Sequence, residues 1–414
     1  MTTQSGNPAL AYTRHRLPAG RRERPSSRDR WFAPESEGYY VKNPAKFKIS
    51  KFAAPDNLRL AFRLLEEDGG HGAGTDGFRP EHFSDNEIRP ILQKVSETLI
   101  DGTYRPYEPR ICTVAKSAGG TRDLALFRFM DRTVAKALLN CLKAFWNERL
   151  TALSTRQIFA RLHWTIERQR RFVFAIDDIR QCFDHARLDD VMTWHRHYIH
   201  KQSLLELIER IIRGNDSLGT GSGLPQGSPY SPTAMDLLLH HVLDLVMADR
   251  AGNTPSFRYV DNLAYLCSDV SESVRVLSLV DEVLETASLQ LKRADGQPQD
   301  LRDPEYNKVF LGLIPRWQSG LLTLSIPEDQ YENLTKGLQV ANEAPFPAEN
   351  ALRRCTGWLQ AQGPALTRNV EQEVVDRVVD MARHAGFRNV THRDMLNVAK
   401  SARRLWQQEL ENAR

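Results

Sequence analysis

Long apolar runs are missing from this 414-residue chain, and its first residues are polar where a secretory leader needs an apolar core. Both absences argue against a membrane-spanning or exported protein, so we expect a cytoplasmic one with no membrane partner. Cysteine is scarce. The five present are scattered, odd in number and without paired spacing, which argues for reduced thiols over a disulfide framework or a cysteine-based zinc site. Charge of one sign is lacking too, because a net +4 is too small to mark a nucleic-acid binder by itself. Any positive surface must be local. What the chain does have is a globular composition, 41% hydrophobic and 26% charged, and enough length for two or three subdomains.

Two acidic segments organise the rest. In Phe257-Arg258-Tyr259-Val260-Asp261-Asn262-Leu263-Ala264-Tyr265-Leu266, two aromatic and branched runs flank a polar pair, Asp261-Asn262. This predicts a hairpin with Asp261-Asn262 at its tip, since Asp and Asn tolerate the positive φ of tight primed turns. Alone, it also fits an ordinary solvated hairpin. Phe172-Val173-Phe174-Ala175-Ile176 reads as a buried strand and runs into Asp177-Asp178-Ile179-Arg180-Gln181-Cys182-Phe183-Asp184. Two acids from separate strands are the minimum protein contribution to a pair of Mg²⁺ ions, whose other ligands are phosphate oxygens and water. Such a pair suits a two-metal displacement on a nucleoside triphosphate.

Asp178-Ile179-x-x-x-Phe183-Asp184, then Leu224-Pro225-Gln226-Gly227-Ser228-Pro229-Tyr230-Ser231-Pro232, then Tyr259-Val260-Asp261-Asn262 resemble, in order and spacing, the palm motifs of bacterial reverse transcriptases of the group II intron, retron and defence-associated types. One position departs, because the family usually places a second Asp where this chain has Asn262. The resemblance implies that Asp178, Asp261 and Asn262 form the catalytic set. Asp178, Asp261 and the Ile179 carbonyl would hold Mg²⁺, with Mn²⁺ as an alternative. It also implies Phe183 beneath the sugar, Gln226 and Gly227 against the nascent base pair, and Tyr259 in the substrate site.

Other stretches are read beside that resemblance. Residues 1–40 read as a disordered basic tail, in which Arg14, Arg16, Arg21, Arg22, Arg24, Arg28 and Arg30 outnumber the acids. An electrostatic arm on nucleic-acid phosphates is the other reading. Gly72-Ala73-Gly74-Thr75-Asp76-Gly77 resembles the loop before the family's fingers; as a phosphate loop it lacks a following Lys-Ser/Thr, and a structural turn is expected. A strand over 111–114, Lys116, a Gly119-Gly120 turn and Arg122 resemble the fingers hairpin whose Lys and Arg hold the triphosphate. Asp131-Arg132 resembles the helix behind it. Residues 151–171 match the family poorly and receive no role.

His195, His197 and His200 invite a metal reading, but on a helix only His197 and His200 could meet, and no Cys is near. Helices are expected over 188–199, 204–212, 233–247 and 274–291. Where the family has a Leu-Asn-x-x-Lys-Thr segment this chain has Leu289-Gln290-Leu291-Lys292-Arg293, so Lys292 is only a candidate for the lysine beside the leaving pyrophosphate. Phe310-Leu311-Gly312 resembles the strand that closes the palm, and from 319 onward helices are expected. Val370, Val374, Val375, Val378, Met381 and Ala385 form one apolar stripe ending at Gly386. The last helix starts near Thr391 and carries Arg393, Asn397, Lys400 and Arg404 on one face, either a solvated face or a grip on duplex phosphates.

The expected fold is α+β, a right-hand polymerase: a tail (1–40), fingers (41–171), an antiparallel-sheet palm (172–316) and a helical thumb (317–414). The expected reaction is RNA-directed DNA synthesis, with a primer 3′-hydroxyl attacking a dNTP. Partners are an RNA template, by resemblance a dedicated non-coding RNA in bacterial antiviral defence, and the DNA product; a protein partner or homo-oligomer stays open. Template-independent or protein-primed synthesis and a lapsed RNA-binding scaffold stand as alternatives.

Overall fold

A computed structural model describes residues 38–67, 73–79, 82–115, 121–150, 153–214, 223–293, 297–344 and 346–414. Residues 1–37 of the basic tail, Gly72, Lys116 and the Gly119-Gly120 turn lie outside the described residues, whereas Tyr39, placed in the tail by its sequence, donates its N–H to Asn57 Oδ1 at 2.8 Å. The chain divides into two compact units, Met1–Thr151 with Gln181–Asp244, and Ala152–Arg180 with Leu245–Arg414.

In the first unit, helix Pro55–Glu67 buries Leu58, Ala61, Phe62 and Leu65, the i, i+3, i+4, i+7 stripe of an amphipathic helix. It packs on helix Phe129–Asn147, where Phe62 and Phe129 meet edge to face at 6.2 Å. That second helix buries Asp131, which accepts hydrogen bonds from the Tyr104 hydroxyl (2.8 Å) and the Tyr107 N–H (3.1 Å). Burial pushes its pKa up to about 7. Strands β1 (Arg110–Ala115) and β2 (Thr121–Leu126) form the expected antiparallel hairpin, with Arg122 opposite Val114. Gly74 to Gly77 is a turn closed by a 3.1 Å backbone bond, as expected.

Helices Leu188–Tyr198 and Gln202–Arg213 complete this unit together with Ser231–Leu239, which widens into a π turn over His240–Asp244. One expectation is corrected here. The single helix over 233–247 starts earlier, at the Ser231-Pro232 entry that proline favours, and is not regular. The His197–His200 pair does not form on one helix, because the helix ends at Tyr198; His197 instead neighbours His241, 5.8 Å between ring centres. His195 is buried between the Val191 carbonyl and the Tyr230 hydroxyl, and burial lowers its pKa to about 4.

The second unit is built on a four-stranded antiparallel sheet of β3 (Val173–Asp178), β4 (Ser256–Tyr259), β5 (Asn262–Cys267) and β6 (Gln299–Asp300), in the order β4-β5-β3-β6. Central β3 is buried from Val173 to Asp177, which explains its unbroken apolar run. Phe159 of helix Thr155–Gln169, Phe174 of β3 and Phe310 meet edge to face at 5.4 to 5.9 Å. Burying each such ring contributes roughly 1.5–3 kcal/mol.

Three boundaries differ from expectation. The helix expected over 274–291 is Val270–Glu285, because the Asp269 carboxylate caps it by accepting the Glu272 N–H at 2.8 Å. Phe310-Leu311-Gly312 is a turn bridging Phe310 to Leu313, not a strand. Residues after 319 begin with β8 (Leu321–Ser325), paired with β7 (Ile314–Gln318) in a separate hairpin.

Four helices follow, Glu328–Glu343, Pro347–Ala361, Glu371–His384 and His392–Asn412, sharing a core that includes Leu338, Leu359, Val375, Val378 and Ala402. Val370 lies outside that core, 37% exposed, as the residue before its helix. Thr391 caps the last helix by accepting the Asp394 N–H at 3.2 Å, as its sequence suggests. Among the described residues no helix is long and apolar enough to cross a membrane.

Candidate active site

Asp178 ends β3 and Asn262 begins β5, and the two are register partners. Partners in an antiparallel pair project from one face of the sheet. One step along, the Ile179 N–H donates to the Asp261 carbonyl at 3.0 Å. Since a strand residue directs its N–H and C=O to the same side, the Ile179 carbonyl also opens toward the hairpin. Asn262 Nδ2 donates to Asp261 Oδ1 at 3.3 Å, and Asp178 is the partner of Asn262 across the strands. The sheet thus brings Asp178, Ile179, Asp261 and Asn262 to one end.

The turn itself corrects the expectation. Tyr259 pairs with Asn262, so the tip is Val260-Asp261 and Asn262 is already in the strand. The left-handed residue is Val260, at φ 55°, although a β-branched side chain pays about 1–2 kcal/mol for that conformation. The turn is held at three successive carbonyls. Asn262 Nδ2 donates to Tyr259 O at 3.4 Å, Arg258 Nη1 to Val260 O at 3.1 Å, and Ile179 N to Asp261 O at 3.0 Å. Strain of this size persists only where the surroundings fix it. Tyr259 stands 40% exposed beside the tip.

A short segment crosses the other side of β3. Ile179 bridges to Leu291, and the Lys292 N–H donates to Asp178 O at 2.8 Å. Lys292 Nζ lies 3.5 Å from Asp178 Oδ2, with the lysine 45% and the aspartate 31% exposed.

The remaining candidates belong to the first unit. Phe183 is half-buried in the short helix Cys182–His185, and its carbonyl accepts the Leu224 N–H at 2.8 Å. Gln226 Nε2 donates to Asp184 Oδ1 at 3.0 Å, and Gln226 O accepts the Ala125 N–H of β2 at 2.7 Å. Gly227 is exposed at φ 124°, and a Cβ there would lie 2.6 Å from the Ala125 carbonyl oxygen, so only glycine fits. The proline-flanked loop is therefore docked onto the hairpin that carries Arg122. In the last helix of the second unit, Arg393, Asn397 and Arg404 are exposed and Lys400 half-exposed, opposite the buried Met395, Ala399, Ala402 and Trp406.

Residues 114–294 match the family model described as reverse transcriptase (RNA-dependent DNA polymerase). This segment is a reverse transcriptase domain. It is a nucleotidyltransferase domain of the RNA-directed DNA polymerase class. The chain is also similar to Protein YkfC of Escherichia coli (strain K12), 27% identical over 206 residues that make up 45% of this chain and 53% of that protein. The chain therefore spans about half the length of that curated relative.

Reverse transcriptase domains generally use divalent metal ions. Among the described residues no group of three or more His, Cys, Asp or Glu is placed to hold one. Two carboxylates are nonetheless the usual protein share of a Mg²⁺ site that substrate phosphates complete. The donors at this end of the domain are all hard oxygens, from Asp178, Asp261, the Ile179 carbonyl and the Asn262 amide, and they fit such an ion.

Four residues of this region escaped the sequence reading: Val260, Arg258, Asp177, whose Oδ1 accepts the Asp178 and Arg293 N–H groups at 2.8 and 3.0 Å, and Asp281, whose Oδ1 accepts the Leu291 N–H at 3.0 Å. Strand alternation carried one signal, since adjacent Asp177 and Asp178 must face opposite sides of the sheet. Nothing in residue type marks the others.

Proposed function

We propose that this protein is an RNA-directed DNA polymerase that adds dNTPs to a primer 3′-hydroxyl, using Asp178 and Asp261 to hold Mg²⁺. The observation that carries the reading is the meeting of those two acids at one end of β3 and β5, through the Asp178–Asn262 register and the bond from Ile179 to Asp261. Bound divalent ions would activate the attacking oxygen and stabilise the leaving one. The chain's own residues do the rest. The Ile179 carbonyl and the Asn262 amide add neutral oxygen donors. Phe183 bars a 2′-hydroxyl, Gln226 and Gly227 meet the nascent pair, and Tyr259 borders the substrate.

Lys116 and Arg122 hold the triphosphate, and Arg393, Asn397, Lys400 and Arg404 grip duplex phosphates in this reading. The subdomains we assign are fingers over 41–171, palm over 172–316 and thumb over 317–414, with a basic arm before them. The biological setting we favour is bacterial antiviral defence with a partner non-coding RNA, which rests on the resemblance of the motifs alone.

Asn262 favours one second reading, a scaffold that binds RNA without synthesis, because it removes a negative charge from the metal-binding end. Incubation with Mg²⁺, a primed RNA template and each dNTP, alone and mixed, distinguishes the readings. Template-dictated incorporation supports the proposal. Synthesis without template, or none at all, overturns it.

A further inference from the structure

Helix Thr155–Gln169 belongs to the stretch that the motifs leave without a role, and it borders a cavity of about 370 Å³ that holds none of the residues proposed for catalysis. Arg161, Trp164, Thr165 and Arg168 line it from the helix, and Pro255 to Phe257 line it from the start of β4, the end away from the Val260-Asp261 tip. No carboxylate side chain is among the lining residues. Arg161 and Arg168 lie two turns apart on one face, roughly 10 Å along the axis. Both are exposed, and the Arg161 guanidinium has no hydrogen-bond or ion-pair partner among the described residues. Arg171, just past the same helix, shows the contrast, since Glu272 closes on it at 2.6 Å. Trp164 neighbours both arginines on the helix surface, at i+3 from one and i−4 from the other. Its indole N–H donates to the Leu410 carbonyl at 2.7 Å, and the Arg414 guanidinium lies 5.3 Å from its ring centre. Arg168 in turn donates to the Arg414 carbonyl.

We propose that this cavity is a second nucleic-acid site, which takes one nucleotide of a single strand, its base on Trp164 and the flanking phosphates on Arg161 and Arg168. Cations without a facing acid attract a polyanion. The distance between the two arginines exceeds one phosphate group, which favours a chain of phosphates over a lone one. Each guanidinium fork can pair with two phosphate oxygens at once. An indole already held by its own N–H loses little freedom when a base stacks on it, and such stacking accepts any base. Ser256 brings a hydroxyl to the same lining. The volume is at the small end of ligand sites, which suits one nucleotide and excludes a duplex. The inference goes beyond the polymerase reading and uses none of its metal assignments.

Fluorescence anisotropy of the full chain with labelled single strands of about 16 nucleotides, one RNA and one DNA of the same mixed sequence, tests the site. Arg161→Ala should weaken at least one strand about five- to tenfold at low salt and flatten the log–log salt slope by about 0.7, one phosphate contact. Trp164→Ala should weaken it about tenfold with the slope unchanged, because stacking releases no counterions. Trp164→Phe keeps a ring and should fall between. If Trp164→Ala does not fold, Arg161→Glu carries the test, since it reverses an exposed charge without touching the core. The strand weakened more identifies the source as RNA or DNA. An iodouracil in that strand should cross-link to Trp164 under light, and cross-links confined to other residues overturn the site. Wild-type affinity and slope in both Arg161 variants overturn it as well. Equal competition by inorganic phosphate or a single dNTP would mean a mononucleotide pocket, and equal competition by poly-glutamate a protein partner; either overturns the strand. A wild type that incorporates nothing, yet loses strand binding with Arg161→Ala, sinks the polymerase reading and upholds this site.

Discussion

Two hairpins of the second unit turn in two residues each, and they differ in what the turn is made of. Between β7 and β8 the turn is Ser319-Gly320, with φ 52° and 78°, the all-positive pattern that suits a small residue followed by glycine. Between β4 and β5 it is Val260-Asp261, and the left-handed position falls on a β-branched side chain. The first hairpin obeys turn chemistry and carries no candidate group. The second breaks it, is tied at three carbonyls, and carries Asp261. In the proposed function the local rule is broken beside the carboxylate that holds the metal, the kind of place where backbone strain collects.

The largest effect should separate the two hairpins by activity. Asp178→Ala or Asp261→Ala should cut DNA synthesis by roughly 10³-fold or more, the several kcal/mol that metal-held charge stabilisation supplies, with melting nearly unchanged. Ser319→Ala should leave synthesis intact. Primer extension and thermal melts on the three variants check this, and full synthesis by either aspartate variant would sink the metal assignment.

Next in size is sugar choice, another change at a site residue that should spare the fold. Phe183→Val should raise rNTP incorporation relative to dNTP by about 10- to 100-fold, the scale of discrimination that removing one steric contact releases. An unchanged ratio in competition assays removes the steric role.

The smallest effects are on stability, and they test the strain itself. Gly320→Val should destabilise by about 1–2 kcal/mol through backbone conformation alone, because no atom lies within 4 Å of the added Cβ position. Val260→Gly relieves a similar penalty but frees the unfolded chain, so its net change should stay within about 1 kcal/mol while synthesis falls. Denaturant melts of both measure this. A strongly stabilised and fully active Val260→Gly protein would mean that the strain serves nothing.

Much of this was legible in the residues. The apolar run 172–176, the proline-flanked Gln226-Gly227 loop and Asp261 beside a hairpin turn each announce themselves by side-chain type. The hairpin tip was displaced by one residue because the pairing of Asp178 with Asn262, a long-range contact, sets the register and overrides the turn preference of Asp and Asn. Leu289 and Leu291 look like the end of a helix, yet the helix stops at Glu285 and Leu291 bridges to Ile179. The Ser319-Gly320 turn signal was present and lost beneath the helical composition around it. The ties of Asp177 and Asp281 were invisible for a different reason: three of their partners are backbone amides, which every residue but proline offers.

The most direct test of a two-carboxylate site is a Mg²⁺ titration of DNA synthesis by the wild type and by Asn262→Asp. Asn262 now donates to Asp261, and an aspartate there would add negative charge worth roughly 4 kcal/mol per unit-charge pair at about 4 Å and an effective dielectric near 20. We expect an active wild type that needs high Mg²⁺ and is partly rescued by Mn²⁺, and an active Asn262→Asp protein whose titration moves to lower Mg²⁺. A wild type inert at every Mg²⁺ and Mn²⁺ level, and restored by Asn262→Asp, would show that Asp178 and Asp261 do not suffice and that the natural chain is a scaffold.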